Sequence, residues 1–426
     1  MELHFASRMK DYEEGIFQVL NEKKNELERQ GRKVYNLSVG TPDFKPQQRI
    51  IDAVVSAAGK PENYKYALRD LPELTDAVIS RYQKRYGVQL EPEEIMSVYG
   101  SQEGIAHVGL SLCDEGDIVL VPDPGYPIFA IGPSLAGAKL VTYPLTEENH
   151  WLPDLEALGE TADKAKFMIV SYPMNPICKC APHSFYEELI PWAKAHELVI
   201  IHDNAYSDII YDGRQGISIL SIPGAKEVCV EFYSLSKSYN YTGARMGFLT
   251  GNRELVQNFK KLRSQIDYGT FLPVQYGAIA ALTGPDEPVL LQCEEYRKRR
   301  DALCGGFRSI GWGGAGAVPC PAGMCRTAKA PCLPGRLYRK VLTTIPHSSW
   351  SLWRKQACCV RREAALASWE KDMYVSPSPC LWRRSGRLWK QSEGAESFPD
   401  NRRKADIGTG KGEAAVWLSG LLREEK

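Results

Sequence analysis

Short apolar runs that alternate with longer helix-like stretches constrain the fold of this chain more than any other feature of its sequence. Strand-like runs occupy residues 118–121, 167–170, 198–201 and 228–230, and residues 185–195 have helical spacing. Such continuous apolar strands are typical of sheets buried on both faces, where the intervening helices make neighbouring strands parallel. The pattern predicts an α/β fold with a mainly parallel, helix-covered sheet.

Two further stretches have helical character. Apolar residues recur at helical spacing within residues 12–29, which predicts an amphipathic helix near the start of the chain. Residues 254–304 are charged and helical in pattern, and they include a basic run at 296–301. Because the formal net charge of the whole chain is only +1, we interpret this run as a solvated helix face rather than a nucleic-acid patch.

The length of 426 residues suits one large domain with a smaller companion. The amino terminus lacks a basic segment followed by an apolar one, and no uncharged apolar run is long enough to span a bilayer. The cysteines before residue 305 stand singly, as reduced thiols do, and no Cys or His spacing matches a metal site. We therefore expect a cytoplasmic protein with no metal, no membrane span and no nucleic-acid partner.

A lysine follows the last strand-like run and has phosphate-binding residue types around it. Ser234, Ser236 and Arg245 lie on the same loop as Lys237. A lysine amine can form a Schiff base with an aldehyde, while hydroxyls and a guanidinium fork can hold a dianionic phosphate. The loop therefore favours a phosphorylated aldehyde as ligand. The alternative is a polar surface loop with an ordinary lysine.

An acidic and a phenolic side chain follow the preceding strand-like run. Asp203 can pair there with a protonated ring nitrogen, and Tyr206 can hydrogen-bond a phenolic oxygen. An aspartate that caps the next helix explains Asp203 equally well.

Two turns offer further cofactor contacts. Residues 100–104 open a helix, so that their free amides and the helix dipole can bind phosphate. Tyr126 lies in a turn after a strand-like run, where its ring can stack on a flat cofactor. A plain turn explains residues 123–127 equally well.

Residues 40–44 and 172–176 complete an ordered set of motifs. In order and spacing this set resembles the fold-type I pyridoxal-phosphate-dependent aminotransferases of class I/II, over roughly residues 5–312. The resemblance implies pyridoxal 5'-phosphate as cofactor, and a mainly parallel seven-stranded sheet with a small second domain. It divides the chain into residues 1–45 (amino-terminal segment of the small domain), 46–304 (large cofactor-binding domain) and 305–426 (carboxy-terminal region at the small-domain position).

The resemblance also implies roles for individual residues. Lys237 would carry the cofactor as a Schiff base and then move the substrate proton as a general base. The ring would be held by Asp203 at its pyridine nitrogen, by Tyr206 and Asn175 at its phenolic oxygen, and by Tyr126 stacked on it. The phosphate would be held by Ser101, Gln102, Ser234, Ser236 and Arg245. The substrate would contact Gly40, Tyr126 and Asn175.

Tyr66 is similar to the tyrosine that reaches the phosphate of a neighbouring subunit, so the resemblance implies a homodimer with shared active sites. Residues 66–74 and 100–104 look most like the LL-diaminopimelate aminotransferase branch. The implied activity moves an amino group between an L-amino acid, with LL-diaminopimelate as the candidate, and a 2-oxo acid. A C–S lyase or a racemase that uses the same cofactor is the enzymatic alternative.

The sequence departs from the family beside Asn175. The family usually continues Asn-Pro-Thr-Gly, whereas this chain has Ile177 and Cys178 after Pro176. The usual tight glycine turn must therefore be made in another way.

Residues after about 312 carry no core pattern, and the family's carboxylate-binding arginine has no counterpart there. Codons consistent with residues 363–378, read two bases later, spell Ser-Ser-Phe-Gly-Lys-Leu-Gly-Glu-Gly-Tyr-Val-Arg-Phe-Ala-Leu, which resembles the segment that holds this arginine. Residues 350–362 in the shifted frame run directly into that segment. The hypothesis is a frame slip that scrambles residues 313–426. It leaves an inactive cofactor-binding remnant as a further alternative.

Overall fold

The computed structural model describes residues 1, 3–12, 14–37, 40–309 and 373–375. All of them lie in one compact unit, Met1–Trp382, and the second unit, Arg383–Lys426, lies outside the described residues. The region to which the frame-slip hypothesis applies therefore also lies outside them, except for residues 373–375.

A seven-stranded sheet forms the centre of the described unit, in the order β2-β8-β7-β6-β5-β3-β4. Strand β8 is antiparallel to both of its neighbours, and every other neighbouring pair is parallel. A separate parallel pair joins β1 to β9. The prediction of a mainly parallel seven-stranded sheet is thus confirmed. The strands are β1 Tyr35–Leu37, β2 Ile95–Val98, β3 Ile118–Asp123, β4 Lys139–Pro144, β5 Ala165–Ser171, β6 Val199–Asp203, β7 Cys229–Ser234, β8 Gly247–Gly251 and β9 Met373–Val375.

The central strands are apolar on both faces because helices cover both sides of the sheet. In β5, Phe167 and Ile169 pack into one core cluster, whereas Met168 and Val170 pack into the other. All four side chains are fully buried. This alternation with a period of two is what the near-continuous apolar runs of the sequence encode.

The helices of the described residues cover this sheet and confirm the predicted helical stretches, with small changes at their ends. They are α1 Ile16–Arg29, α2 Gln48–Ala58, α3 Pro72–Tyr86, α4 Ser101–Leu112, α5 Pro127–Leu135, α6 Leu155–Ala162, α7 His183–Ala195, α8 Ala225–Val228, α9 Leu235–Ser238, α10 Arg253–Arg263, α11 Leu272–Thr283 and α12 Glu287–Ser309.

The helical stretch predicted at residues 254–304 is divided among α10, α11 and α12. The first break contains Gly269, whose φ is +86° and where a Cβ atom would lie 2.2 Å from the Ala67 carbonyl oxygen. Only glycine fits a left-handed residue in such close backbone contact. No helix among the described residues combines the length and the apolar character that crossing a membrane requires.

Two expectations about single residues are wrong. Arg300, in the basic run predicted to be a solvated face, is only 8% exposed and forms an ion pair with Asp212. Cys113, Cys178, Cys180, Cys229 and Cys293 are free thiols as expected, but Cys304 is disulfide-bonded. The sequence pattern could not show either contact, because both depend on the position of α12 in the fold.

Candidate active site

The predicted site residues gather where parallel strands end. Tyr126 follows β3, Asn175 follows β5, Asp203 ends β6, and Lys237 follows β7. Ligands of open α/β sheets bind at the carboxyl ends of the strands, because the loops there diverge and leave a crevice. The topology thus brings together residues that are far apart in the sequence.

Lys237 lies on the short helix α9, directly after β7. The Ser234 hydroxyl caps this helix by accepting the amide of Ser236 at 3.2 Å, and both serines are buried. The polar surface loop considered as the alternative is therefore excluded. The Lys237 Nζ donates to the Gly40 carbonyl oxygen at 2.6 Å. Burial and then the charge of Arg245 lower the pKa of Lys237, which favours the neutral amine that a nucleophile or a base needs.

Asp203 is buried at the end of β6, with 7% of its surface exposed. Its Oδ1 has no hydrogen-bond partner among the described residues, and the neighbouring Ser101 hydroxyl and Ala205 amide offset only part of the effect of burial on its pKa. Burial raises the pKa of Asp203 to about 6. The helix-cap alternative fails, because the next helical segment, Ile219–Ser221, is capped by Ser218. An unpaired buried carboxylate oxygen is costly, and it would be satisfied by the protonated nitrogen of a bound heterocycle.

Two phenols lie beside this carboxylate. Burial raises the pKa of Tyr206, the neighbouring Asn175 lowers it in part, and the ring centroid of Tyr206 lies 5.8 Å from the Lys237 Nζ. The hydroxyl of Tyr126 donates to the Gln102 Oε1 at 3.2 Å. Burial and the charge of Asp203 raise the pKa of Tyr126, which places these two groups in the same electrostatic environment.

A cradle for a phosphate surrounds Gly100. Helix α4 begins at Ser101, so its first amides are free to bind an anion. Gly100 has a φ of +83°, and a Cβ atom there would lie 2.6 Å from the Nη2 of Arg245. The same Nη2 donates to the Tyr99 carbonyl oxygen at 3.0 Å, which holds the guanidinium beside the helix start.

These groups fit pyridoxal 5'-phosphate. The amine of Lys237 suits its aldehyde, the open oxygen of Asp203 suits its ring nitrogen, and Tyr206 with Asn175 suits its phenolic oxygen. The start of α4 and Arg245 suit its phosphate. The site therefore contains a complementary group for each polar end of the cofactor.

Tyr66 is not brought together with the other site residues. It is 76% exposed and packs its ring edge against Tyr268 at 5.1 Å between centroids. Tyr64, Leu68 and Phe271 are further exposed apolar residues of this region.

The turn that departs from the family pattern is closed by Cys178. Its φ is +57°, so a cysteine adopts the left-handed conformation that glycine usually supplies. The Cys178 amide donates to the Met174 carbonyl oxygen at 2.6 Å, and the Met174 amide donates to that of Lys179 at 3.2 Å. The chain thus keeps the tight turn and accepts backbone strain there.

The sequence analysis missed a buried network beside the lysine, which is centred on Asp208. Its Oδ1 lies 2.9 Å from both Arg81 Nη2 and Arg85 Nε. Its Oδ2 accepts the hydroxyls of Tyr233 at 2.5 Å and of Ser238 at 2.8 Å. Burial would raise the pKa of Asp208, but the two arginines and these hydroxyls hold the pKa below its ordinary value. The only signal in the sequence was the pair of arginines one helical turn apart.

The chain matches the family "Aminotransferase class I and II" over residues 32–325. It is 42% identical to the LL-diaminopimelate aminotransferase of Moorella thermoacetica over 310 residues, which are 72% of this chain and 80% of that protein. It is 41% identical to the glutamate-pyruvate aminotransferase AlaC of Escherichia coli over 300 residues, which are 70% of this chain and 73% of that protein.

Solved structures agree with these relatives. The substrate-bound BacF structure from Bacillus subtilis superimposes with a TM-score of 0.70 at 33% identity, over 72% of this chain and 79% of that one. An aspartate aminotransferase from Thermus thermophilus bound to maleate gives 0.68 at 25% identity, over 73% of this chain and 81% of that one. This protein therefore belongs to the class I and II aminotransferases, the pyridoxal-phosphate-dependent enzymes of fold type I, and takes an amino acid and a 2-oxo acid as substrates.

Proposed function

We propose that Lys237 is the residue that carries the cofactor and moves the substrate proton in this aminotransferase. The observation that supports this most strongly is the Lys237 Nζ, half-buried and 2.6 Å from the Gly40 carbonyl oxygen, at the end of the sheet where Asp203 has an unpaired oxygen. When bound, the cofactor supplies an electron sink that stabilises negative charge at the substrate carbon. A lysine whose pKa is lowered can take and return a proton at that carbon.

The remaining residues would hold and orient the cofactor. Asp203 pairs with the ring nitrogen and keeps it protonated, and Asn175 and Tyr206 hydrogen-bond the phenolic oxygen. Tyr126 covers one face of the ring and excludes water from it. The phosphate is held by Ser101, Gln102, Ser234, Ser236 and Arg245. The division into a large domain of residues 46–304 and a small domain built from residues 1–45 and 305–426 accompanies this proposal.

The substrate carboxylate approaches the backbone of Gly40, next to Tyr126 and Asn175. We propose LL-diaminopimelate as the amino donor, because the Moorella relative with 42% identity is named for that substrate. The second candidate is exchange between glutamate and pyruvate, because the Escherichia coli relative is almost equally similar at 41% identity. The proposed place of action is the cytoplasm.

The test is a spectroscopic titration of the purified chain. We expect the visible absorbance of the lysine-bound cofactor in the wild type, its loss in Lys237→Ala, and its persistence in Lys298→Ala, which changes an exposed lysine of α12. Adding LL-diaminopimelate, L-glutamate or L-alanine separately identifies the donor by the spectral change each produces. If the absorbance survives Lys237→Ala, the assignment of the lysine is wrong. If product forms over many turnovers without a 2-oxo acid acceptor, the lyase or racemase alternative holds, because an aminotransferase stops after one half-reaction under these conditions.

The working unit is proposed to be a homodimer with shared sites. Tyr66 supports this, because its 76% exposed side chain is accessible to a second subunit. Sedimentation of the full chain measures the stoichiometry. A monomer that binds the cofactor with full affinity would contradict the proposal.

We retain the frame slip as a proposal for residues 313–426. In its support, the match to the family ends at residue 325, and the Moorella relative has a further part of its length without a counterpart in this chain. Sequencing the gene across the codon of Trp312 and mass mapping of the expressed tail test it, and an intact frame contradicts it. If the slip is genuine, a cooperative melt with bound cofactor but no turnover is expected, which is the remnant alternative.

A further inference from the structure

One face of helix α12 contacts two parts of the candidate site. One is the turn that carries Lys237, and the other is the segment of residues 40–45, which we call the Gly40 wall. Gln292, Tyr296 and Arg299 are spaced by four and then three residues, so they lie in one row along the helix. We call these three residues the α12 row. None of them belongs to the cofactor-binding set assigned above.

Gln292 joins this row to the lysine turn. It is 5% exposed, and its Nε2 donates to the backbone carbonyl oxygen of Lys237 at 2.9 Å. Its Oε1 accepts the side-chain amide of Asn240 at 2.9 Å, and the same amide nitrogen lies 3.4 Å from the Lys45 carbonyl oxygen. The side-chain amide of Gln292 therefore fixes both the backbone of Lys237 and Asn240, which in turn contacts Lys45 of the Gly40 wall.

Arg299 joins the row to the Gly40 wall. Its Nη1 donates to both oxygens of Asp43, at 2.8 and 3.0 Å. Its guanidinium lies 4.9 Å from the ring centroid of Phe44, and this ring packs edge-on against Tyr296 at 5.2 Å. The backbone just after Gly40 is thus held by a charge pair, a cation–π contact and an aromatic contact, all on one helix face.

We propose that the α12 row positions the Gly40 wall against Lys237, and that its Arg299 contact with this wall sets the affinity of the site for the amino acid without setting the affinity for the cofactor. The reason is geometric, because within the described part of the chain the ion pairs of Arg299 are with Asp43 and Glu295 and not with the phosphate cradle, whereas Asp43 follows Gly40, whose carbonyl oxygen accepts from Lys237. The inference rests on the proposed roles of Lys237 and Gly40. The three side chains are positioning residues and touch no reacting atom.

The test compares Arg299→Met with Arg297→Met in the full chain. Arg297 lies on the same helix, and its ion pairs within the described part of the chain are with Glu294 and Asp301 of that helix. We therefore expect its loss to affect α12 but not the walls of the site. Gln292→Ala and Gln292→Glu test the contact between the α12 row and the turn that carries Lys237. The glutamate variant keeps an acceptor for Asn240 but cannot donate to the Lys237 carbonyl oxygen.

Hydrogen–deuterium exchange provides a readout that does not require activity. In the chain without added cofactor, Arg299→Met should speed exchange of the peptide covering residues 40–47 by about fivefold, since a half-exposed ion pair has a modest effect. Gln292→Ala should speed exchange of that peptide and of the peptide covering residues 234–245, by about tenfold, because buried polar groups lose their partners. Arg297→Met should change neither peptide, and Arg299→Lys should restore part of the protection.

Binding measurements then separate positioning from general destabilisation. Titration with the best amino acid of the panel should require a concentration about fivefold higher for Arg299→Met, while the dissociation constant of pyridoxal 5'-phosphate stays within about twofold of the wild type. Equal losses of both affinities, or the same behaviour in Arg297→Met, would overturn the inference. A wild type that binds no cofactor would instead refute the proposed function. The two failures are therefore distinguishable.

Discussion

Asp203 and Asp208 lie in the same segment of the chain and are both buried, at 7% and 3% exposure, yet their surroundings are opposite. Asp203 keeps one carboxylate oxygen without a partner, and burial raises its pKa to about 6. Burial would raise the pKa of Asp208 in the same way, but Arg81 and Arg85 with two hydroxyls hold this pKa below its ordinary value. One carboxylate is left open, and the other is fully satisfied.

The contrast shows how an unfavourable group is kept in place. Asp208 binds the hydroxyl of Ser238, the residue directly after Lys237, and that of Tyr233 at the end of β7. The satisfied network therefore fixes the frame on which the unsatisfied site is built. Functional groups can remain poorly solvated only where such a frame determines their position.

The largest effect on stability is expected from a substitution at Asp208, the carboxylate whose hydrogen bonds are satisfied. Asp208→Asn removes the anion shared by the buried Arg81 and the half-buried Arg85, so we expect the free energy of unfolding to fall by about 3–5 kcal/mol at pH 7. Because the folded pKa of Asp208 is lowered, its stabilisation is present above the ordinary pKa of 3.8 and is lost as the pH falls through the folded pKa. Urea denaturation with and without cofactor measures this.

The matched control for this prediction is Asp212→Asn, which removes a more exposed aspartate paired with Arg300. Its cost should be about 1 kcal/mol or less. If both variants lose similar amounts of unfolding free energy, the network around Asp208 does not stabilise the fold in the way described above.

The next effect has the opposite sign. Asp203→Asn should stabilise the cofactor-free chain at pH 8 by about 3 kcal/mol, because the charged form is penalised when the pKa rises from 3.8 to about 6. A raised folded pKa gives stability that is full below the unfolded value and is lost as the pH rises through 6. The two proteins should therefore have equal stability near pH 4.

The same substitution should weaken cofactor binding, because a neutral amide lacks the negative charge that stabilises a protonated ring nitrogen. Thermal melts across pH, in parallel with cofactor titration, measure both effects. A cofactor-free Asp203→Asn chain that is less stable than the wild type at pH 8 would show that Asp203 is a structural residue like Asp208.

A smaller effect is expected at the strained turn. Cys178 has a φ of +57°, and left-handed backbone costs a non-glycine residue about 1–2 kcal/mol. Cys178→Gly should therefore stabilise the chain by about 0.5–1 kcal/mol after the added entropy of the unfolded glycine. Cys180→Gly, at a neighbouring position outside the left-handed set, should destabilise it, and a melt of the two variants compares them.

The smallest effect on stability is expected at Tyr66. Tyr66→Phe should change the free energy of unfolding by less than about 0.5 kcal/mol, because the ring is exposed and its packing on Tyr268 is kept. If a second subunit's phosphate receives this hydroxyl, cofactor affinity should fall about tenfold. Tyr268→Phe, the exposed neighbour, should leave the affinity unchanged.

The fold was predictable because its signal is local and repeated. The apolar runs at residues 118–121 and 167–170 became β3 and β5, since burial on both faces demands apolar residues at every position. The antiparallel insertion of β8 between β2 and β7 had no such signal. Strand order depends on pairings between distant segments, and these leave no periodicity in either strand.

The candidate site divides in the same way. Lys237, Asp203, Tyr206 and Arg245 were identifiable because each has a chemical type suited to one end of the cofactor and stands in a recognisable motif. Asp208 and Gln292 were not, because each gains its meaning from partners elsewhere in the chain, such as Arg81 on α3 and Asn240 after α9.

The sequence by itself determined the chemical groups of this enzyme and the sheet that carries them, because residue type and burial pattern are properties of short segments. Only the tertiary structure decided which of those groups are satisfied. Whether a buried carboxylate finds its donors depends on what the fold places within about 3 Å of it. That is why one oxygen of Asp203 has no partner among the described residues, while Asp208 binds the residue next to Lys237.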